Sequence, residues 1–172
     1  AFVWGLAEAT FFCIVPDVFL TRLALRDYRR ARAACTAAVT GALLGGAMLW
    51  IAARQGASGR LLELSTLLPG INSRLTMQTG LALQEHGLPA LFTGALRGQP
   101  YKLYAIPAGA QDLPLAAFLL VSFAARLARF VTTVTMAWLA GRALHCYSET
   151  VRLRLHLIGW TAFYLIYFAI MH

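Results

Sequence analysis

Residues 4–20 read WGLAEATFFCIVPDVFL, an apolar run that carries two carboxylates, Glu8 and Asp17, with a proline directly before the second. In one continuous helix, which turns by about 100° per residue, these two acids would point to opposite faces. One of them would then face lipid, at a cost of about 2.5–3.5 kcal/mol near the centre of a bilayer. Pro16 has no backbone N–H and disfavours helix at Val15. We therefore predict a broken segment that turns back, so that both acids point inward. The alternative is a single membrane-spanning helix in which Asp17 lies at the water-exposed end and only Glu8 is buried.

The composition indicates a membrane setting for this run. The chain has 172 residues, of which 59% are hydrophobic and 13% charged, and its mean hydropathy is +0.65. Soluble domains contain about 25% charged residues, so the sequence predicts an all-α, polytopic integral membrane protein with one domain, residues 1–172. The net charge of +8 is typical of topology-determining loops rather than of nucleic-acid binding. The stretch RLALRDYRRAR, residues 22–32, is expected to be a cytoplasmic loop.

A second interrupted apolar segment occurs in the other half of the chain. Residues 76–96 are apolar but include glutamines, a glutamate, a histidine and a proline, which fits a helix buried among others or a second broken segment. Residues 97–114, RGQPYKLYAIPAGAQDLP, contain three prolines and predict irregular backbone. Such backbone at membrane depth needs protein or water to satisfy its polar groups. Two interrupted segments, one in each half, indicate a binding site near the midplane of a transporter.

The remaining apolar stretches predict regular helices. Residues 33–53, 115–140 and 157–171 are each close to the length that crosses a hydrocarbon core. The first contains Gly41 and Gly45, a GxxxG pair that favours close packing with another helix and could join two copies of the chain. The last contains three aromatic residues that fit anchors at a membrane interface: Trp160, Tyr164 and Tyr167.

Buried carboxylates need partners, and the second half of the chain supplies four candidate cations: Arg97, Lys102, Arg126 and Arg129. Arg126 and Arg129 are three residues apart on the predicted 115–140 helix and therefore share a face. Ser122 and Thr133 extend that face by a turn in each direction. Arg126 lies about 18 Å along this helix from Pro114, near the middle of a bilayer, where an arginine indicates function by default. The alternative is an arginine that snorkels to the interface from a helix that begins later.

Three stretches of the sequence resemble the DedA family, also called the VTT or SNARE-associated Golgi protein family, and in particular its small, YqaA-like bacterial branch. They are AEATFFCIVPDVFL at residues 7–20, EHGLPALFTGALRGQPYKLYAIPAGA at residues 85–110 and FLLVSFAARLARFVTTVTMAW at residues 118–138. Together with the segments between them, the resemblance covers nearly the whole chain.

The resemblance implies two re-entrant helical hairpins that enter the bacterial inner membrane from opposite sides and face each other. It also implies transport or scrambling of a lipid phosphate, either undecaprenyl phosphate or a phospholipid, with protons as the coupling ion. Glu8 matches the acid of the first hairpin, and Arg97 and Lys102 match the basic motif of the second. Three residues would shape the bend of the second hairpin: Pro100, Pro107 and Gly109. The resemblance implies neither a cofactor nor a metal.

Other functions fit parts of the sequence. A small-solute or ion secondary transporter would use the same buried charges, and a non-transporting assembly protein would pack through its GxxxG helix. GASG, residues 56–59, resembles the nucleophile motif of rhomboid intramembrane proteases. Ser58 lies between arginines in a polar loop, however, so we expect no enzymatic activity. His86 is interpreted as an interface histidine rather than a proton relay. A metal site is possible by residue type, without the spacing of a known site, at His145, Cys146, Glu149 and His156.

Overall fold

The computed structural model describes the backbone of residues 1–171 and the side chains of residues 1–169, and within this range it contains helices and no strands. The predicted all-α class is therefore confirmed. A π-helical turn, Ala53–Ala57, joins the third and fourth helices. The α-helices are α1 (Phe2–Thr10), α2 (Asp17–Ala24), α3 (Tyr28–Ala52), α4 (Ser58–Thr66), α5 (Ser73–His86), α6 (Ala90–Leu96), α7 (Lys102–Ala110), α8 (Leu115–Ala143) and α9 (Glu149–Met171).

The first break in the chain lies where the sequence predicts it, between the end of α1 and the start of α2. Pro16 is the residue before α2 and is buried. The non-helical backbone of the break is held by side chains: the Val15 N–H donates to the Tyr164 hydroxyl (2.9 Å), and the Trp4 indole donates to the Ile14 carbonyl (2.9 Å). These bonds satisfy polar groups that an apolar environment would otherwise leave without partners.

Glycines set the packing of α1 against α3. A Cβ added at Gly41 would overlap the Phe2 carbonyl oxygen, and one added at Gly45 would lie 2.8 Å from the Ala9 Cβ. The close approach predicted for the GxxxG pair is therefore present, but its partner is α1 of the same chain. Gly41 and Gly45 thus contact α1 within one chain, and association of two copies through this helix stays a prediction.

The chain reverses direction between α1 and α2. Gly5 contacts Ala38 and Ala9 contacts Gly45, so α1 runs in the same direction as α3. Residues 25–27 connect α2 directly to α3 in a tight turn, where the Asp27 carboxylate accepts the Arg30 N–H (3.0 Å). The helix α2 therefore runs opposite to α3. The predicted loop at residues 22–32 is wrong in extent, because α2 and the first turn of α3 occupy most of it.

The second interrupted segment has two breaks. Gly87 (φ +60°) follows the last residue of α5, and Gly98 (φ +75°) follows Arg97 at the end of α6; both have positive φ angles that glycine tolerates. The irregular backbone predicted for residues 97–114 is wrong for α7, which includes Pro107 as an internal residue. In α7, Gly109 packs against the Trp50 carbonyl of α3. Pro107 and Gly109 are therefore helical residues rather than bend residues, whereas Pro100 precedes α7 at the break.

Among the residues that the structure describes, two stretches are long and apolar enough to cross a membrane. They are Tyr28–Thr66, formed by α3, the π-helical turn and α4, and Leu115–Ala143, which is α8; each has a mean hydropathy of 1.7. The helices predicted at residues 33–53 and 115–140 lie within these two stretches, whereas the extension through the π-helical turn into α4 was not predicted. The last helix is longer than the predicted stretch at residues 157–171, because α9 already begins at Glu149.

Candidate functional site

A buried ion pair joins the first broken segment to α8. The Glu8 carboxylate, near the end of α1, accepts a hydrogen bond from the Arg126 guanidinium, and the two residues are 5% and 6% exposed. The guanidinium carbon of Arg126 lies 4.6 Å from the ring centre of Tyr101 and 5.3 Å from that of Phe130. Such cation–π contacts strengthen as water is excluded. Arg126 is thus held between two aromatic rings and directed at one acid.

A second ion pair lies close to the first on the same face of α8. Arg129 donates to the Asp17 carboxylate at 2.9 Å, and the Thr133 hydroxyl donates to the other carboxylate oxygen at 2.9 Å. Asp17 is the first residue of α2 and is 1% exposed. A carboxylate in the first turn also interacts favourably with the helix dipole. Arg129 is the middle residue of the 29-residue α8, so the charges lie at the centre of the longest single α-helix in the described range.

Lys102 connects the two broken segments. It is the first residue of α7 and is 1% exposed. Its ammonium group donates to the Phe12 carbonyl at 2.9 Å, and Phe12 lies in the break between α1 and α2. Lys102 is in no ion pair among the described residues. It is therefore a buried cation without a dedicated carboxylate.

Three of these charged groups border a cavity of about 90 Å³. A single water needs roughly 10–15 Å³ on this scale, so the cavity admits a few waters or a small charged group. Glu8, Lys102 and Arg129 form its charged side. The aromatic side comes from α9 and consists of Trp160, Phe163, Tyr164 and Tyr167. A charged floor beside an aromatic wall is suited to an amphiphilic ligand.

Three buried polar atoms beside this cluster have no hydrogen-bond partner among the described residues. They are the Tyr101 hydroxyl, the Ser122 hydroxyl and the Arg126 Nε. All three residues line a second, smaller cavity of about 10 Å³, where α6 and the start of α7 face α8. This volume is roughly the space of one water or one ligand oxygen. A buried donor without a partner costs about 1–3 kcal/mol. The three atoms are therefore available to a ligand that supplies acceptors.

The structure brings together five of the six residues predicted for the pocket and leaves out one. Glu8, Asp17, Lys102, Arg126 and Arg129 form the cluster described above. Arg97 caps the end of α6 and is exposed, because Gly98 turns the chain there. Within residues 1–171 no ion pair includes Arg97.

The residues of the rival hypotheses lie apart from this cluster. Ser58 begins α4 and forms no hydrogen bond with a histidine in the part of the chain that the structure describes. His86 is the exposed last residue of α5. Glu149 pairs with Arg26 (2.7 Å), and His156 is bonded to the Thr21 hydroxyl (2.8 Å). Among the described residues, no group of three or more His, Cys, Asp and Glu could hold a metal.

Several residues of the site were not predicted from the sequence. Tyr101 and Phe130, the rings on either side of Arg126, carry no sequence signal other than their proximity to the predicted cations. Trp160, Tyr164 and Tyr167 were interpreted as interface anchors. In the structure they have partners within the protein, and the Tyr167 hydroxyl donates to the Gly70 carbonyl at 3.1 Å.

Comparisons with known proteins give one partial similarity. No family model matches the chain, and no solved structure matches it. A protein from Histophilus somni, described as "Uncharacterized protein HI0703 homolog", is 30% identical over 78 residues, which is 45% of this chain and 39% of that protein. The matched region thus spans well under half of that relative, whose description states no activity.

Proposed function

We propose that this protein is a multi-pass protein of the bacterial inner membrane that moves a lipid phosphate across the bilayer. In this proposal α1–α2 and α6–α7 are two opposing re-entrant hairpins, as the resemblance to the DedA family implies. The two long apolar stretches support the membrane placement. So do large apolar side chains on the outside of the helices, among them Leu120 (70% exposed), Met136 (65%) and Leu165 (68%), because soluble proteins rarely expose extended apolar surface.

The observation that carries the proposal is the buried charge cluster. It has three cations, Lys102, Arg126 and Arg129, and two acids, Glu8 and Asp17, so its formal charge is 3 − 2 = +1. Each ionised side chain at the bilayer centre costs about 2.5–3.5 kcal/mol on insertion scales. Five of them near the middle of an apolar helix bundle therefore serve a purpose beyond stability. A net positive, partly unpaired cluster selects an anion.

A phosphate headgroup matches the donors in the cluster. Arginine offers a planar set of N–H donors, and lysine offers a compact charge, and both bind phosphate oxygens well. The unpartnered groups of Tyr101, Ser122 and Arg126 add donors beside the ion pair. As a phosphate enters, it replaces the Glu8 carboxylate as the partner of Arg126. The resemblance to the DedA family implies that protons are coupled to this exchange.

The aromatic wall fits the apolar part of the same substrate. Phe163 and Tyr167 of α9 have parallel rings 6.2 Å apart beside the cavity. The outer face of α9 is exposed and apolar at Ile158, Leu165 and Ile166. A lipid with its phosphate at Lys102 can therefore keep its hydrocarbon in contact with apolar side chains.

The charge distribution supports one orientation in the membrane. One end of the molecule contains the α2–α3 and α8–α9 connections. The Arg26–Glu149 ion pair (2.7 Å) and the stacked rings of Tyr28 and Trp138, whose centres are 4.9 Å apart, hold this end together. By the positive-inside rule this end faces the cytoplasm. It carries two acids, Asp27 and Glu149, and eight arginines: Arg22, Arg26, Arg29, Arg30, Arg32, Arg142, Arg152 and Arg154.

A reconstituted flipping assay tests the proposal. We expect Lys102→Met to move a fluorescent polyprenyl phosphate or phospholipid at least tenfold more slowly than the wild type, because about 1.4 kcal/mol of lost phosphate binding already corresponds to a factor of ten. Purified protein is placed in vesicles with labelled lipid in both leaflets. A membrane-impermeant quencher then measures the rate at which inner-leaflet headgroups become accessible.

The matched control is Arg74→Met, which removes a positive charge at an exposed position of α5. It should move lipid at the wild-type rate. Wild-type transport by Lys102→Met with both labelled lipids, or no transport by the wild-type protein, would contradict the proposal.

A further inference from the structure

A groove at the arginine-rich end of the molecule lies away from the buried charge cluster. It runs between the last part of α2 and the first part of α9 and has a volume of about 310 Å³. Arg22 and Arg26 line one side, and Glu149, Arg154 and two leucines line the other. Arg22 is five residues beyond Asp17, which corresponds to about 7.5 Å along α2, and it points away from the site of the ion pairs, to the surface.

The groove has an excess of positive charge. Its three arginines and one glutamate give a formal charge of 3 − 1 = +2. Glu149 is already engaged by Arg26 at 2.7 Å. Arg22 and Arg154 are exposed and form no ion pair within the described residues. The guanidinium groups of Arg22 and Arg154 are therefore both free to bind one anionic group. Each guanidinium can donate two parallel N–H bonds to phosphate oxygens, which is the bidentate geometry.

The wall next to these guanidinium groups is apolar. Leu153 and Leu157 are one helical turn apart on α9 and both line the groove, and Leu157 is 54% exposed. The same helix continues away from the arginines with exposed Ile158, Leu165 and Ile166. A free phosphate would use only the arginines. A ligand that uses both features has an anionic phosphate at one end and a hydrocarbon chain at the other.

We propose that this groove binds the headgroup of an anionic glycerophospholipid of the cytoplasmic leaflet, with one acyl chain along α9. The inference rests on the membrane placement and orientation of the proposed function and concerns a second, static lipid site. The lipid phosphate bridges Arg22 and Arg154 and so fastens α9 to α2. Basic pockets between membrane helices on the cytoplasmic side bind anionic lipids in this way, and each arginine near the surface contributes about 1 kcal/mol.

Lipid retention by the purified full-length protein tests this site without measuring transport. The protein is placed in nanodiscs of phosphatidylglycerol and phosphatidylcholine, extracted into mild detergent, and analysed by native mass spectrometry for bound phosphatidylglycerol. Arg154→Gln should weaken retention about fivefold, and Arg22→Gln/Arg154→Gln roughly twentyfold or more. Arg154→Lys keeps the charge but loses the bidentate geometry, so its retention should lie between those of the wild type and Arg154→Gln. Arg30→Gln is the matched control, since Arg30 is an exposed arginine at the same end but outside the groove.

Each outcome of this experiment decides for or against the groove. Retention by Arg22→Gln/Arg154→Gln equal to that of Arg30→Gln would overturn the proposal, as would equal retention of phosphatidylcholine by the wild type. Displacement of phosphatidylglycerol by millimolar inorganic phosphate would show a phosphate site without lipid specificity and would also overturn it. The flipping rates of Lys102→Met are independent of these values, so a failure here and a failure of the transport proposal are distinguishable.

Discussion

Replacing Arg126 by leucine is expected to lower the free energy of unfolding by about 3–5 kcal/mol, because it leaves the Glu8 carboxylate buried without its partner. Both residues are almost fully enclosed, and Arg126 also packs between Tyr101 and Phe130. The double variant Glu8→Gln/Arg126→Leu removes both charges. It should recover most of the loss, since replacing a whole buried pair by neutral groups is often nearly neutral.

Unfolding in detergent, followed by tryptophan fluorescence or thermal melting, measures these changes. Arg60→Leu is the control for loss of an arginine, because Arg60 is exposed on α4, and it should change stability by no more than about 0.5 kcal/mol. The single variants Glu8→Gln and Arg126→Leu are measured alongside the double variant. If the double variant loses as much unfolding free energy as the two single variants together, Glu8 and Arg126 do not interact, and the ion pair is contradicted.

Replacing Gly41 by leucine is expected to prevent α1 from packing on α3 and to leave little folded protein. Even the first atom of a side chain at Gly41 would overlap the Phe2 carbonyl oxygen, which belongs to the backbone and cannot rotate away. Overpacking a tight contact commonly costs about 1–3 kcal/mol and more where backbone must move. Displacement of α1 would also withdraw Glu8 from Arg126, so the two losses add.

Size-exclusion chromatography and thermal melting of the purified protein test this expectation. Gly80→Ala is the matched control, because Gly80 lies within α5 and a Cβ there meets no atom within 4 Å. It should be neutral or stabilising by up to about 1 kcal/mol, the helix propensity difference between alanine and glycine. A Gly41→Leu protein that melts at the wild-type temperature would mean that the α1–α3 crossing is looser than the structure shows.

The elements that the sequence predicted best are those set by local chemistry. Pro16 and the two acids indicate a break in the first segment, because a proline and the cost of a lipid-facing carboxylate act within a few residues. The spacing of Arg126, Arg129 and Thr133 indicates one face of α8 by helical periodicity alone. In the structure Arg126 pairs with Glu8, and Arg129 and Thr133 bind Asp17.

The elements that the sequence did not predict depend on partners far away in the chain. The helix α7 forms around Pro107 because it packs on α3, where Gly109 meets the Trp50 backbone. No local signal shows which helix covers Gly41 and Gly45. Arg97 and Lys102 are only five residues apart in the sequence. The turn at Gly98 nevertheless leaves Arg97 exposed, whereas Lys102 is buried. The basic sequence motif predicts both cations for one pocket, but in the tertiary structure only Lys102 lies in it.

The flipping rate of the Glu8→Gln/Arg126→Leu protein tests the central claim most directly, because this variant is expected to fold while its anion site has lost one arginine and its acid. Melting temperature and flipping rate are measured on the same vesicle preparation. Our account predicts a folded protein that moves labelled lipid phosphate at least tenfold more slowly than the wild type. A folded double variant that moves lipid at the wild-type rate would show that the buried ion pair is structural and that lipid transport takes another route.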